Sequence, residues 1–479
     1  MSAFHGTARA TDARSGEAFD LVVLGGGSGG YACALRAAQL GFAVGLVEQD
    51  KVGGTCLHRG CIPTKAMLHA AEVADSVRNG SQFGIHAAID KIDLAGVVSY
   101  ADGVVERIYK GLTGLVSSRS ITVVHGAGRL IGRDGRPCVA VDDEVYPAPN
   151  LVLATGSYPR TLPGLDLDGV KILSSEHALR LDRLPRSAIV LGGGVVGVEF
   201  ASAWRSFGVD VTVVEALPQL VSGEDPSISA ALERAFNKRK INVITSATMA
   251  AGRITDSGVR LELADGQVLE AEIMLVAVGR GPQTSGLGYQ DVGVDLEDGY
   301  VSVSERLETS VAGVYALGDL VRGLQLAHRG FAQGIFVAEE IAYRSGALKE
   351  SPTPIADVNV PRVTYCDPEI ASVGLTEDEA RTRFGDVETT RYDLAGNGKS
   401  QILKTRGFVK LVRRPSGPVV GVHMIGARVS ELVGEAQLII NWDAFPEDVA
   451  GLVHSHPTQS EALGEAHLAL AGKPLHAHG

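Results

Sequence analysis

An internal repeat limits what this chain can fold into more than any other feature. Residues 21–48 read LVVLGGGSGGYACALRAAQLGFAVGLVE, and residues 188–215 read AIVLGGGVVGVEFASAWRSFGVDVTVVE. Each copy reads as an apolar strand, a G-x-G-x-x-G turn, an amphipathic helix, a glycine turn and a second apolar strand that closes on Glu. The glycines are Gly25, Gly27 and Gly30 in the first copy and Gly192, Gly194 and Gly197 in the second. In both, 23 residues separate the first glycine from the closing acid, Glu48 or Glu215. A lone G-x-G-x-x-G says little. With a strand before it, a helix after it and an acid about 20 residues on, it is a dinucleotide fingerprint. The first glycine makes the tight turn, the second lets backbone approach a pyrophosphate, and the third lets the helix pack on the strand. The helix N-terminus then offers unpaired N–H groups and a partial positive charge to the phosphates. Two such units predict two bound dinucleotides. Glu215 repels a 2′-phosphate, and the ALPQL that follows carries no Arg to offset it, which favours NAD over NADP in the second unit.

A chain of 479 residues is too long for one core and predicts about three domains. With 45% apolar and 21% charged residues it is globular, not disordered. The net charge of −12 argues against nucleic acid as the main partner. No apolar run reaches the roughly 18–20 residues that span a bilayer, so no membrane association is expected. Residues 1–18 hold no hydrophobic stretch and mix Arg9 and Arg14 with Asp12 and Glu17. They read as a flexible leader rather than a signal or transit peptide, on a cytoplasmic protein.

Directly after the first repeat comes GGTCLHRGCIPTK, with Cys56 and Cys61 five residues apart. In a regular helix that spacing is about 7.5 Å along the axis, beyond the roughly 4.4–6.8 Å between Cα atoms that a disulfide needs. If these two bond, the backbone between them must be irregular, and Gly53, Gly54 and Gly60 supply the freedom. Pro63 suits the first turn of a following helix. Zinc is the competing use, but it asks for shorter spacing and two further ligands. Two inert core cysteines are the bland alternative to a bonded pair, and Cys33, Cys138 and Cys366 read as packing residues. His58 and Arg59, between the pair, either lower the pKa of Cys56 or are solvated loop residues.

GGTC-x4-C-I-P-T-K behind a dinucleotide fold resembles the flavin-dependent pyridine nucleotide–disulfide oxidoreductases. The resemblance extends from about residue 19 to the end. Ala154-Thr155-Gly156 closes the first domain as in that family, GVYALGD (313–319) resembles a second FAD motif, and HSHPTQSE (454–461) an interface motif. The implied fold is α/β: two Rossmann-like dinucleotide-binding domains, glutathione-reductase-like, plus a C-terminal α+β dimerisation domain. The segments are FAD binding over 19–157, NAD binding over 158–284, a return segment over 285–356 that completes the FAD side, and dimerisation over 357–479.

The resemblance also assigns residues. FAD takes the first repeat, with Glu48 on its adenosine ribose, helped by Gly53, Gly54, Thr55, Lys65, Gly128, Thr155, Gly156, Ser157, Asp319, Gln325, Leu326, Ala327 and His328. NAD takes the second, with Glu215 and Gly279. Lys65 pairs with Glu199, which reads as an acid in the first turn of the second crossover helix. Cys56 and Cys61 form the redox disulfide: Cys56 is attacked by the substrate thiolate, and Cys61 lies against the flavin. His456 is the base and Glu461 its partner; from chemistry alone His454 competes evenly. A free thiol has a pKa about 2 units above a free imidazole, so unaided proton transfer is uphill by about 2.7 kcal/mol. A carboxylate beside an imidazole raises its basicity and closes part of that gap.

Within the family the implied reaction is oxidation of protein-bound dihydrolipoyl groups with NAD+, in a homodimer. The partners are then lipoyl domains of 2-oxoacid dehydrogenase or glycine cleavage complexes. The alternative is a glutathione- or mycothione-type disulfide reductase of the same fold. No metal is expected.

Overall fold

The computed structural model describes residues 19–476; the leader assigned to 1–18 lies outside them. These residues divide into two compact units. One comprises 19–64, Val98–Pro159 and Arg280–Asp357; the other comprises Lys65–Val97, Arg160–Gly279 and 358–476.

The first unit is built on a five-stranded parallel sheet in the order Val314–Ala316, Asn150–Leu153, Leu21–Leu24, Val44–Glu48, Thr122–His125. Leu21–Leu24 is buried along its whole length, as a strand covered on both faces must be. The helix Ser28–Gln39 packs against the helix Ala327–Arg344. Small residues permit the close approach: a Cβ on Gly334 would stand 2.2 Å from the Gly29 carbonyl oxygen. Thus the segment around Asp319, far along the chain, returns to the first repeat as the edge strand of its sheet.

The second unit repeats the plan with a parallel sheet in the order Asn242–Ile244, Asp210–Val214, Ser187–Leu191, Ile273–Val276, Ile172–Leu173. It also holds an antiparallel five-stranded sheet, ordered Arg362–Thr364, Glu369–Gly374, Val419–Gly426, Phe408–Arg413, Glu388–Asp393. Val409, Leu411, Val422 and Met424 from that sheet share a core with Ala436 and Ile439 of the helix Val429–Asn441 and with Ala462, Leu463 and Ala466 of the helix Glu461–Leu470. The central strands are buried nearly throughout because both faces are covered: Ile370, Phe408 and Ile425 enter a second core on the other side, while period-3.6 burial in the helices completes this α+β layer. The fold class implied by the sequence is the one observed.

A buried ionic cluster ties the repeat's second sheet to the antiparallel one. Asp225, fully buried, caps the helix Pro226–Lys238 through the Ser227 N–H and accepts both 2.9 Å bonds from Lys410 Nζ. Burial pushes its carboxyl up, but the bonds from Ser227 and Lys410 prevail and hold it down at about 2. A carboxyl depressed on folding stabilises the fold above its unfolded pKa near 4, and that contribution is lost as pH falls through 4 towards 2. Lys410→Met strands this carboxylate and is expected to cost about 3–5 kcal/mol. Urea unfolding midpoints at pH 7 would show it; an unchanged midpoint would mean that the pair is dispensable.

Candidate active site

The two glycine turns are superimposable in their chemistry. Gly25 has φ +105°, and a Cβ there would stand 2.3 Å from the Ala154 carbonyl oxygen; Gly192 has φ +112° and the same 2.3 Å to Ala277. On Gly30 a Cβ would meet the Gly25 carbonyl oxygen at 1.8 Å, and on Gly197 the Gly192 oxygen at 1.9 Å. Gly27 and Gly194, by contrast, face open space at the starts of the helices Ser28–Gln39 and Val195–Ser206, and neither helix has a side-chain cap. A helix start left uncapped beside open space is a cradle for an anion. Glu48 Oε2 accepts from Gly26 N at 2.7 Å and Oε1 from Asp50 N at 2.8 Å. Glu215 repeats this with Gly193 N at 2.6 Å and Leu217 N at 2.8 Å. Each carboxylate is thereby fixed at the rim of its cradle, and the residues present fit a dinucleotide at both.

The segment 155–157 forms a polar cluster around the first cradle's sheet edge. Thr155 Oγ1 donates to the Gln283 carbonyl at 2.7 Å, and Gln283 N donates to the Gly156 carbonyl at 2.9 Å. Ser157 Oγ donates to Asp319, which sits on a single turn, Gly318–Leu320, braced by Gln333 Oε1 at 2.8 Å from Gly318 N. Arg280 bonds the Ser157 hydroxyl and carbonyl, each at 2.7 Å. Leu326 precedes the helix Ala327–Arg344, which contains Ala327 and His328, and the buried Gln325 Nε2 has no hydrogen-bond partner among the described residues. Such an orphaned donor suits a polar cofactor group. Gly128 has a packing explanation: a Cβ there would strike Leu24 and Val47 at 2.6 and 2.7 Å. Gly279 has φ +105° and open space around it.

The cysteines flank a helix break. Cys56 and Thr55 lie on the helix Gly54–Arg59, Gly60 leaves it at φ −140° and ψ −107°, and Cys61 starts the helix Cys61–Asn79. A Cβ on Gly60 would press on the Thr55 carbonyl oxygen at 3.0 Å. Pro63 falls in the first turn of the second helix, where its missing N–H costs nothing. Gly53 N donates to the Gly26 carbonyl at 2.8 Å, and Gly54 packs against Gly27. The cysteine segment therefore rests directly on the first glycine turn. His58 and Arg59 are not loop residues; they close the helix Gly54–Arg59. His58 Nε2 meets the Val52 carbonyl at 3.0 Å and its ring sits edge-on to Tyr109, while Arg59 reaches Asp50 at 3.5 Å. Cys33, Cys138 and Cys366 are buried, and burial pushes the Cys33 thiol up to about 12.

Lys65 lies one turn beyond Cys61 on the same helix. Its Nζ bonds both oxygens of the buried Glu199, at 2.9 and 2.8 Å, and stands 4.9 Å from the Tyr365 ring centre. Glu199 also accepts from Tyr365 N at 3.0 Å. The sequence placed Glu199 in the first turn of the second crossover helix, and the structure does not. Glu199 is the fifth residue of Val195–Ser206, past the first turn, so its carboxylate answers Lys65 rather than the helix N-terminus.

Near the C-terminus two His–Glu pairs stand two residues apart. His456 Nδ1 meets Glu461 Oε1 at 2.8 Å, with the imidazole 77% exposed. Glu461 opens the helix Glu461–Leu470, and its other oxygen accepts from Thr458 N at 2.8 Å. Burial raises its carboxyl, but Thr458 and His456 outweigh it and hold it below the ordinary value. His454 Nε2 meets Glu435 Oε1 at 2.8 Å and is only 12% exposed. Exposure separates the two histidines that chemistry alone left even. Arg280, Tyr365 and Glu435 escaped the sequence reading. Arg280 stands beside Gly279 and carried a weak signal; the other two carried none.

Among the described residues no helix is long and apolar enough to cross a membrane, and no group of three or more His, Cys, Asp or Glu could hold a metal ion.

Two dinucleotide cradles, one carrying a paired-cysteine segment, define a dinucleotide-dependent thiol oxidoreductase. The chain belongs to the pyridine nucleotide-disulphide oxidoreductase family: its model matches residues 19–334, and the family's dimerisation domain matches residues 360–467. The chain is 39% identical over 476 residues to a dihydrolipoyl dehydrogenase of Bacillus subtilis (strain 168), covering 96% of this chain and 99% of that one. It is 34% identical to the mitochondrial dihydrolipoyl dehydrogenase 1 of Arabidopsis thaliana, covering 95% and 91%. The crystal structure of LpdA from Mycobacterium tuberculosis superposes with a TM-score of 0.87 at 29% identity, covering 94% and 99%. The chain is an enzyme whose cofactors are FAD and NAD.

Proposed function

We propose that the chain oxidises protein-borne dihydrolipoyl groups with NAD+, and that the cysteine pair, His456–Glu461 and Lys65–Glu199 carry the work. The observation that supports this most is the seat of the Cys56 helix on the Gly26–Gly27 turn. It sets thiol chemistry against a dinucleotide cradle.

In the net reaction a dithiol and NAD+ give a disulfide, NADH and a proton. His456 takes the proton from one substrate thiol, and Glu461 holds the ring so that Nε2 faces outward. The resulting thiolate attacks Cys56 Sγ, the Cys56–Cys61 bond breaks, and Cys61 leaves as a thiolate. The second substrate thiolate then closes the lipoyl disulfide and releases Cys56. Bound FAD supplies two-electron transfer between the reduced cysteine pair and NAD+. Gly25, Gly27, Gly30, Glu48, Thr155, Gly156, Ser157, Asp319 and the 325–328 segment hold FAD; Gly192, Gly194, Gly197, Glu215 and Gly279 hold NAD. Lys65, held by Glu199, would supply a positive charge that offsets the negative charge gained by bound FAD on reduction.

The segments 19–157 and 285–356 serve FAD, 158–284 serves NAD, and 357–479 forms the homodimer, across which His456 serves the partner's cysteines. The partners are lipoyl domains of 2-oxoacid dehydrogenase or glycine cleavage complexes, in the cytoplasm. The test follows NADH oxidation with lipoamide, with NADPH and glutathione disulfide as paired controls. Fast turnover with NADH and lipoamide alone is expected. Turnover only with glutathione disulfide or mycothione would move the substrate to the alternative reductases. Glu215→Ala is expected to reduce the preference for NADH over NADPH by on the order of tenfold, the worth of hydrogen bonds to a charged group. Unchanged selectivity would remove Glu215 from the ribose.

A further inference from the structure

Three ionisable side chains beside the His456–Glu461 pair have no role in the proposed reaction: His454, Glu435 and His467. His454 is the centre of this group. Its Nε2 meets Glu435 Oε1 on the helix Val429–Asn441 at 2.8 Å. Its other flank lies on the helix Glu461–Leu470 at Gly464, where a Cβ would come within 2.6 Å of His454 Nδ1. A glycine inside a helix costs about 1 kcal/mol against alanine, and here the empty face receives an imidazole. Burial lowers the imidazole of the buried His467 to about 4, and the proximity of His454 lowers it a little further. His467 Nδ1 is committed to the Leu463 carbonyl at 2.6 Å. Glu461 feels both histidines.

The neighbours of His454 in sequence are otherwise weakly held. Leu452 is 60% and Val453 99% exposed, and His456 projects into solvent. Residues 453–455 have no regular structure. A segment with so little apolar anchorage needs a side-chain tether to hold one geometry. Resting on the reading of His456 as the base, we propose that His454 is a positioning residue: clamped between Glu435 and the bare face of Gly464, it fixes the segment that delivers His456 to Glu461. The two pairs then divide the labour. The half-buried His454–Glu435 pair holds, and the exposed His456–Glu461 pair moves protons.

The test uses the purified holoenzyme in two assays, NADH with lipoamide and NADH with a quinone. His454→Ala and Glu435→Ala are each expected to lower lipoamide turnover by on the order of tenfold or more, the cost of misplacing a reacting group. Their combination should lose no more than either alone, because they act as one tether. The pH at half-maximal lipoamide turnover should move lower as His456 loses its carboxylate, and His454→Gln, which keeps a hydrogen bond to Glu435, should recover most of the rate. Gly464→Ala displaces the ring without touching a titratable group and should give the same phenotype. Quinone reduction should stay within twofold throughout. Lipoamide turnover and pH profile both unchanged would overturn the proposal, as would equal loss in the two assays. His456→Gln with intact lipoamide turnover would instead overturn the reading of the base itself, whatever His454 does.

Discussion

Replacing Cys61 by Ser is expected to lower lipoamide turnover by a factor on the order of 10³ or more, the scale of losing a group that takes part in covalent catalysis. A hydroxyl can neither form the internal disulfide nor leave as a stable anion. The substitution should leave the fold intact, because Cys61 starts the helix Cys61–Asn79 and Ser is well suited to a helix start. What remains is a Cys56 thiol with nothing in the chain to resolve it. A disulfide made from a monothiol, whose adduct carries no second thiol to close a ring, should therefore exchange with Cys56, release one thiolate and leave a mixed disulfide detectable by mass spectrometry as one added monothiol mass. Cys56→Ser should be equally inactive and trap little. The opposite trapping pattern would exchange the roles of the two thiols. Full turnover in either variant would dismiss the disulfide altogether.

His456→Gln should cost lipoamide turnover a factor of about 10²–10⁴, the usual worth of a positioned general base. It should leave NADH-to-quinone activity near wild type, because that reaction needs no thiol proton removed. The imidazole is 77% exposed and bonds Glu461 at 2.8 Å, so its loss removes little packing. A matched fall in both assays would mean a structural role. The comparison is sharpened by Glu461→Gln, which keeps the shape and removes the charge. Its lipoamide rate should fall by less than that of His456→Gln.

Both dinucleotide cradles were legible in the sequence because each is a short-range object. Backbone approach, helix start and rim carboxylate all lie within one stretch of 28 residues, and covalent spacing alone brings them together. The steric demand is local too: the Cβ that Gly30 lacks would strike the carbonyl of Gly25, five residues away. The break between the cysteines was also legible, because a disulfide cannot span five residues of unbroken helix. The assignment of Glu199 to a first turn failed by a single residue of helix boundary, the least certain quantity in a periodic pattern.

What only the tertiary structure decided are pairings between distant side chains. Ser157 and Asp319 are 162 residues apart, and Lys65 and Glu199, 134 apart, were paired beforehand only by the family resemblance, not by spacing or periodicity. Nothing in hydrophobic periodicity says which acid a lysine meets once two sheets have packed. The different settings of His454 and His456 are of the same kind. Two histidines in one motif carry equal chemistry; packing placed Glu435 and Gly464 around one and left the other in water. Local spacing determined what could bind a dinucleotide. Burial and long-range packing decided which ionisable groups are enclosed and which face water.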